Sequence, residues 1–178
     1  MIIYKCVITN DEMFSDIYKI TESKDGMFYE VEGKMTTRTE KIDDSLLGAN
    51  ASADEVAEGL DDSTVSGVDI VLNHKLQETG YNKKSYMTDI KAYTKALKAY
   101  LEQNKPGRVD QFMKDAPAAV KSIVSRIDDL RFFTGESMNP EGMVGLLDFR
   151  EDGITPFMIF FKDGLEEEKC EAAVVGMI

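Results

Sequence analysis

Two stretches of helical period that meet at a proline–glycine pair constrain this chain most. In the first, Ile90, Tyr93, Thr94, Leu97 and Leu101 recur at the spacing that places them on one face of an α-helix. In the second, Val109, Phe112, Met113, Ala116, Val120, Ile123, Val124 and Ile127 do the same, and Pro106-Gly107 stands between the two. Each apolar stripe needs cover, and so short a connection predicts an antiparallel helical hairpin over 84–129. The first helix is expected from about Lys84 to Asn104, ~30 Å long at ~1.5 Å per residue. Lys84, Lys91, Lys95 and Lys98 fall off its apolar face. Pro117 removes a backbone donor inside the second stripe, which predicts a kink or a restart there with Asp115 as the new cap.

The hairpin is flanked by strand signals. Ile2–Ile8 is mostly apolar and β-branched, Phe28–Glu32 follows the turn dipeptide Asp25-Gly26, and Met35–Thr39 is again strand-like. Val68–Leu72 is expected as a further strand. Met143–Arg150 and Thr155–Lys162 are joined by the tight-turn signal Glu151-Asp152-Gly153. Strands, helical hairpin, strands is the order of an α+β fold with mostly antiparallel sheets. A chain of 178 residues fits a single domain over 1–178, with a β-rich core from 1–40, 66–80 and 131–170. Residues 41–65 differ: Asp43, Asp44, Asp54, Glu55, Glu58, Asp61 and Asp62 face one base, Lys41, with no aromatic residue. That stretch is expected to be a mobile acidic loop, because it has too little apolar surface to offset the ordering of its backbone. Within it, Ser52-Ala53-Asp54-Glu55 fits a capping box that starts a turn or two of helix ending at Gly59. Ser45, Ser63 and Thr64 lie among these acids and are candidate sites for an acid-directed kinase.

Charge excludes one class of partner. Lys plus Arg is 21 against 33 Asp plus Glu, a net of −12, and a field of that sign disfavours nucleic acid. The charge is uneven: residues 1–70 carry −10, residues 71–130 carry +4 and residues 131–178 carry −6. A basic middle flanked by acidic ends can steer charged protein partners.

Catalytic and metal-binding patterns are scarce. With two cysteines, Cys6 and Cys170, and one histidine, His74, no zinc spacing exists, and free thiols are the simple reading. His74 is expected as a structural or surface residue. The run Asp148-Phe149-Arg150-Glu151-Asp152-Gly153 starts like a calcium loop but puts Arg150 at the third position and Ile159 at the twelfth, so it is read as a hairpin turn. Calcium is left with weak binding at the acidic loop or a surface carboxylate cluster, at residues the sequence does not identify. The pairs Asp11-Glu12, Asp43-Asp44 and Asp61-Asp62 are expected to be solvated. Phosphate-cradling glycine loops are absent from the sequence, and no cofactor or enzymatic activity is expected. The N-terminus shows no signal-peptide pattern, and Phe157–Phe161 is too short to span a bilayer. A cytoplasmic protein is expected, with export only by a route independent of a signal peptide.

Two stretches are more specific. They are Leu47-Gly48-Ala49-Asn50-Ala51-Ser52-Ala53-Asp54-Glu55 and Phe132-Phe133-Thr134-Gly135-Glu136-Ser137-Met138-Asn139-Pro140-Glu141-Gly142-Met143-Val144. With Met1–Lys5, Asp11–Asp16, Val68–His74 and Phe160–Leu165, they make the chain resemble the translationally controlled tumour protein family, also called fortilin or histamine-releasing factor, in its vertebrate form. The signature positions are Gly48, Asn50, Ser52, Glu55, Phe132, Phe133, Gly135, Glu136 and Met138. The resemblance implies a β-tent of small sheets with a protruding helical hairpin and a flexible acidic loop. It implies a multi-partner regulator that binds calcium, binds and stabilises microtubules, opposes apoptosis, promotes growth and contacts translation elongation factors. It also implies, as the alternative, a guanine-nucleotide exchange factor for a Rheb-type small GTPase, with Glu12 at the contact. Tubulin binding is attributed to the helical region, which makes Lys84, Lys91, Lys95 and Lys98 the candidate contacts. Residues from Asp16-Ile17-Tyr18-Lys19-Ile20 to Asp25-Gly26 resemble the family's apoptosis-related helix-in-groove segment, although by pattern they read as strand and turn. The family usually ends at the cysteine matching Cys170, which implies a monomer able to form an intermolecular disulfide dimer. Here an atypical tail follows over 171–178, and Gly145 stands where the family prefers Ala or Val.

Overall fold

The computed structural model describes residues 1–39 and 64–170. The expectations for Ser45, Gly48, Asn50, Ser52, Glu55 and Ser63, and for the tail 171–178, lie outside the described residues. The architecture is α+β, with three antiparallel sheets among the described residues. In the smallest, β5 (Met35–Thr39) pairs with β6 (Thr64–Val68). In the second, β1 (Ile2–Cys6) lies between β2 (Glu12–Ser15) and β11 (Leu165–Lys169). The third has the order β3 (Lys19–Glu22), β4 (Phe28–Glu32), β10 (Pro156–Phe161), β9 (Gly145–Phe149), β8 (Arg131–Thr134), β7 (Gln77–Thr79). Every residue of β10 is buried, which is why its sequence, PFMIFF, is a continuous apolar run rather than an alternating one.

The predicted helical hairpin is present. Helix α2 runs Lys83–Asn104 and α3 runs Val109–Ser125, joined by a 3₁₀ turn at Pro106–Arg108. Asn82 caps α2 reciprocally: its side chain accepts from the Ser85 N–H at 2.8 Å, and Ser85 Oγ accepts from the Asn82 N–H at 3.0 Å. The inner faces of the helices bury Leu97, Leu101 and Phe112 in the same cluster as Phe14, Met158 and Phe160 of the sheets. At the tip, Arg108 donates two hydrogen bonds to Asp163, at 2.9 and 2.7 Å, and so ties the hairpin turn to the turn between β10 and β11.

Four sequence expectations are corrected. Val68–Leu72 is not one strand: β6 ends at Val68, and α1 (Asp69–His74) begins. The buried Asp69 carboxylate accepts from the backbone N–H groups of Lys34 and Ile70, each at 2.9 Å, which fixes the chain where strand turns into helix. Gly33 makes room for that carboxylate, since a Cβ there would lie 2.5 Å from Asp69 Oδ1. Thr64 and Val65, assigned to the acidic loop, lie in β6 opposite Thr39 and Arg38. Pro117 does not restart the second helix; α3 runs through it, and Asp115 accepts from Gln111 instead of capping. An interior proline costs ~3 kcal/mol, which burial of Phe112, Ala116, Ala119, Val120 and Ile123 outweighs at about 1.5–3 kcal/mol for each large apolar side chain. Last, Asp11-Glu12 is solvated only at Glu12, which is exposed; Asp11 is half-buried and accepts from Ser137 Oγ at 2.5 Å.

Candidate docking surfaces

The outer face of the hairpin carries a groove of about 630 Å³ between α2 and α3. Its floor is made by Ile90, Phe112, Ala116 and Val120, and Met87 and Met113 lie towards its ends. Lys91, Lys95 and Lys98 line the α2 side, and Lys121 stands on α3. The residues on α2 that face the core are Tyr86, Ile90, Tyr93, Leu97 and Leu101, so the lysines fall on the solvent side by helical period. Of the four lysines singled out from sequence, the fold gathers Lys91, Lys95 and Lys98 at one groove. Lys84 sits exposed in the first turn of α2, outside the groove. Lys121 was not among the sequence candidates, because its role depends on how α3 pairs with α2. None of these five lysines takes part in an ion pair with a described residue.

A second, polar cleft of about 470 Å³ surrounds Glu12. It is lined by Lys5, Asn10, Asp11 and Glu12 from the start of the chain, by Asn73, His74 and Lys75 from the end of α1, and by Glu136. Glu12 is half-exposed, and its carboxylate lies 3.9 Å from His74 Nδ1. His74 is itself largely buried, packs edge-on against Tyr18, and has no hydrogen-bond partner among the described residues on either ring nitrogen. Burial holds its imidazole below the ordinary 6.5, with Glu12 and Asp69 opposing the shift through their charge. Asn10 and Lys75, both in the left-handed region at φ 65° and 55°, turn the backbone at the cleft.

The signature residues divide by role. Phe132 and Phe133 are core side chains, and the Phe132 ring packs against Tyr81 and Tyr86 at 5.2 and 5.5 Å. Gly135 is required by close approach: a Cβ there would lie 2.4–2.6 Å from the Asp11 side chain. Glu136 opens into the Glu12 cleft, and Met138 is exposed at φ 59°. Gly145, the departure, is explained by Phe160, whose ring would stand 2.5 Å from an added Cβ. Cys6 is buried and its sulfur accepts from the Met143 N–H at 3.3 Å, whereas Cys170 is exposed beyond β11. The Glu151–Gly153 turn is held by Asp152, which accepts from the N–H groups of Ile154 and Thr155 and from the Thr155 hydroxyl. Among the described residues no three His, Cys, Asp or Glu side chains are placed to share a metal ion.

The model of the translationally controlled tumour protein family matches residues 1–166. The chain belongs to that family. A translationally controlled tumour protein homologue from Danio rerio is 68% identical over 171 residues, which is 96% of this chain and 100% of that protein. The Mus musculus family member is 59% identical over 172 residues, with the same coverage. The solved structure of the family member p23fyp from Schizosaccharomyces pombe superposes with a TM-score of 0.79 at 45% identity, over 96% of this chain and 100% of that one. The Caenorhabditis elegans translationally controlled tumour protein structure gives 0.70 at 35% identity, over 96% and 99%. The signature glycine and phenylalanines therefore belong to the packing of the family fold, and Glu12, Glu136 and the lysines to its surface. No helix among the described residues is long and apolar enough to cross a membrane.

Proposed function

We propose that this family member is a cytosolic, non-enzymatic docking protein whose lysine-bearing hairpin face binds acidic protein surfaces, with tubulin in the microtubule as the leading partner. One observation carries the reading. In a chain of net charge −12, the groove on the outer face of the hairpin is lined, among the described residues, by four lysines and no carboxylate. Such a patch attracts an acidic surface at range and orients it before contact. The test is microtubule co-sedimentation of the wild type and of a Lys91/Lys95/Lys98→Glu variant. The variant is expected to stay in the supernatant at a concentration where the wild type pellets; equal pelleting overturns the reading.

The Glu12 cleft favours a second reading, nucleotide exchange on a Rheb-type GTPase. Glu12 presents a half-exposed carboxylate at the mouth of a polar cleft, where it can compete for a magnesium ion or pair with a switch lysine. Nucleotide release followed by stopped flow is expected to speed up with wild-type protein and to lose that acceleration with Glu12→Gln. Release that wild-type protein leaves unchanged removes this reading without touching the first. Nothing among the described residues singles out a site for calcium, for anti-apoptotic regulators or for elongation factors. An exposed Cys170 is compatible with the disulfide dimer that the family resemblance implies.

A further inference from the structure

The shape of the hairpin groove says more about its partner than its charge does. A surface that only attracted acidic tails would need lysines alone, yet here the lysines rim an apolar groove in which Met87, Met113, Pro117 and Val124 are accessible above the buried Ile90, Phe112, Ala116 and Val120. A concave, mostly apolar lining with a few placed polar groups is the usual form of a binding site. Met87 and Met113 supply adaptable, polarizable side chains, and Met113 is 44% exposed. Along α2 the groove runs from Met87 to Lys98, which is ~16 Å at ~1.5 Å per residue and so about three turns of a helix laid alongside. An extended acidic tail would leave Met113, Pro117 and Val124 in water. A helix with one apolar stripe would cover them, and carboxylates flanking that stripe would meet Lys91, Lys95 and Lys98 on one side and Lys121 on the other.

We infer that the groove between α2 and α3 is a helix-docking site, and that its occupant is an amphipathic helix of about three turns from another protein, with an apolar i, i+4, i+7, i+11 stripe flanked by Asp and Glu. The inference rests on the same lysine face as the docking reading above, but it depends on the floor as well as the rim. A second copy of this chain is the competing occupant.

The probe is a fluorescein-labelled 18-residue peptide with Leu at the four stripe positions and Glu on both flanks, titrated by fluorescence anisotropy with full-length protein. Binding in the micromolar range is expected, at least ~10-fold weaker when the flanking Glu are changed to Lys, and at least ~10-fold weaker to Met113→Glu, whose lysines are intact. Folding of the variant is checked by circular dichroism. Should Met113→Glu not fold, amide shift mapping on wild-type protein decides, with perturbations expected at Thr94, Ala116 and Val120. No peptide binding at ~100 μM, shifts clustered elsewhere, or equal affinity for Met113→Glu overturns the inference. So does a wild-type dimer in sedimentation equilibrium that Met113→Glu abolishes, because the floor would then belong to a second copy. Microtubule co-sedimentation separates the two proposals. Lysine-dependent pelleting without peptide binding sinks the helix site alone, and peptide binding without pelleting sinks the tubulin reading alone.

Discussion

At the scale of single residues, contact distance and burial decide what a position tolerates. Gly135→Ala puts a methyl group within 2.4–2.6 Å of Asp11, whose carboxylate is already engaged by Ser137. The substitution is expected to cost about 1–3 kcal/mol in urea unfolding; a change within ~0.3 kcal/mol would mean that Asp11 moves aside freely. His74 is the only histidine, so its titration is read directly by proton NMR. Its folded-state pKa lies below 6.5, because desolvation outweighs the charges of Glu12 and Asp69. The unfolded chain then binds the extra proton first, so stability from this group is present above about pH 6.5 and is lost as pH falls through the folded value. A midpoint above 6.5 would contradict the burial argument, and Glu12→Gln is expected to move the midpoint further down. Sequence alone marked Gly135 and Glu12 through the family resemblance but gave no physical reason for the glycine. Asp11, which lies against that glycine and bonds Ser137 across 126 positions of chain, reads in sequence as one acid among many.

At the scale of elements, period and turn chemistry made most of the fold legible, and tertiary contacts account for the exceptions. The hairpin, β4, β5, β9 and β10 follow from apolar spacing bounded by Asp-Gly, Pro-Gly and Glu-Asp-Gly turns. The segment after Val68 misleads because Asp69 works through Lys34, a partner that no local pattern reveals. Asp16–Gly26 forms the turn and β3–β4 entry that its pattern suggests, so use of this segment as a groove-binding helix would require β3 to unpair from β4. Pro117 breaks the propensity rule because the inner face of α3 is deeply buried while the proline itself is exposed. Pro117→Ala restores a donor to the Met113 carbonyl, and it is expected to raise stability by about 1–3 kcal/mol in urea unfolding. A loss of stability would show that α3 depends on the proline for its packing.

At the scale of the molecule, the hairpin is joined to the sheets by a shared core and, at its tip, by a part-buried ionic clasp. Asp163 is nearly buried, while Arg108 is about one-third exposed. Arg108→Ala strands the carboxylate and is expected to cost about 1–3 kcal/mol, less than a fully buried pair would because water reaches the arginine side. Hydrogen exchange in α2 and α3 should accelerate more than in β10, and uniform acceleration would mean that the clasp does not hold the hairpin in particular. The candidate site was half legible in the sequence. Helical period put Lys91, Lys95 and Lys98 on one face, but the groove and Lys121 exist only once two helices have been packed together. The same packing turns a locally basic stretch into a shaped surface on an acidic protein, and that is the core of the functional reading. The most direct test is the affinity of wild-type protein for microtubules measured across a salt series from about 0.05 M to about 0.3 M, where the Debye length shrinks by more than half. Affinity that falls at least ~10-fold across the series, with the fall absent from the Lys91/Lys95/Lys98→Glu variant, is the predicted result. Affinity that stays flat with salt, or that the charge-reversed variant retains, would contradict it.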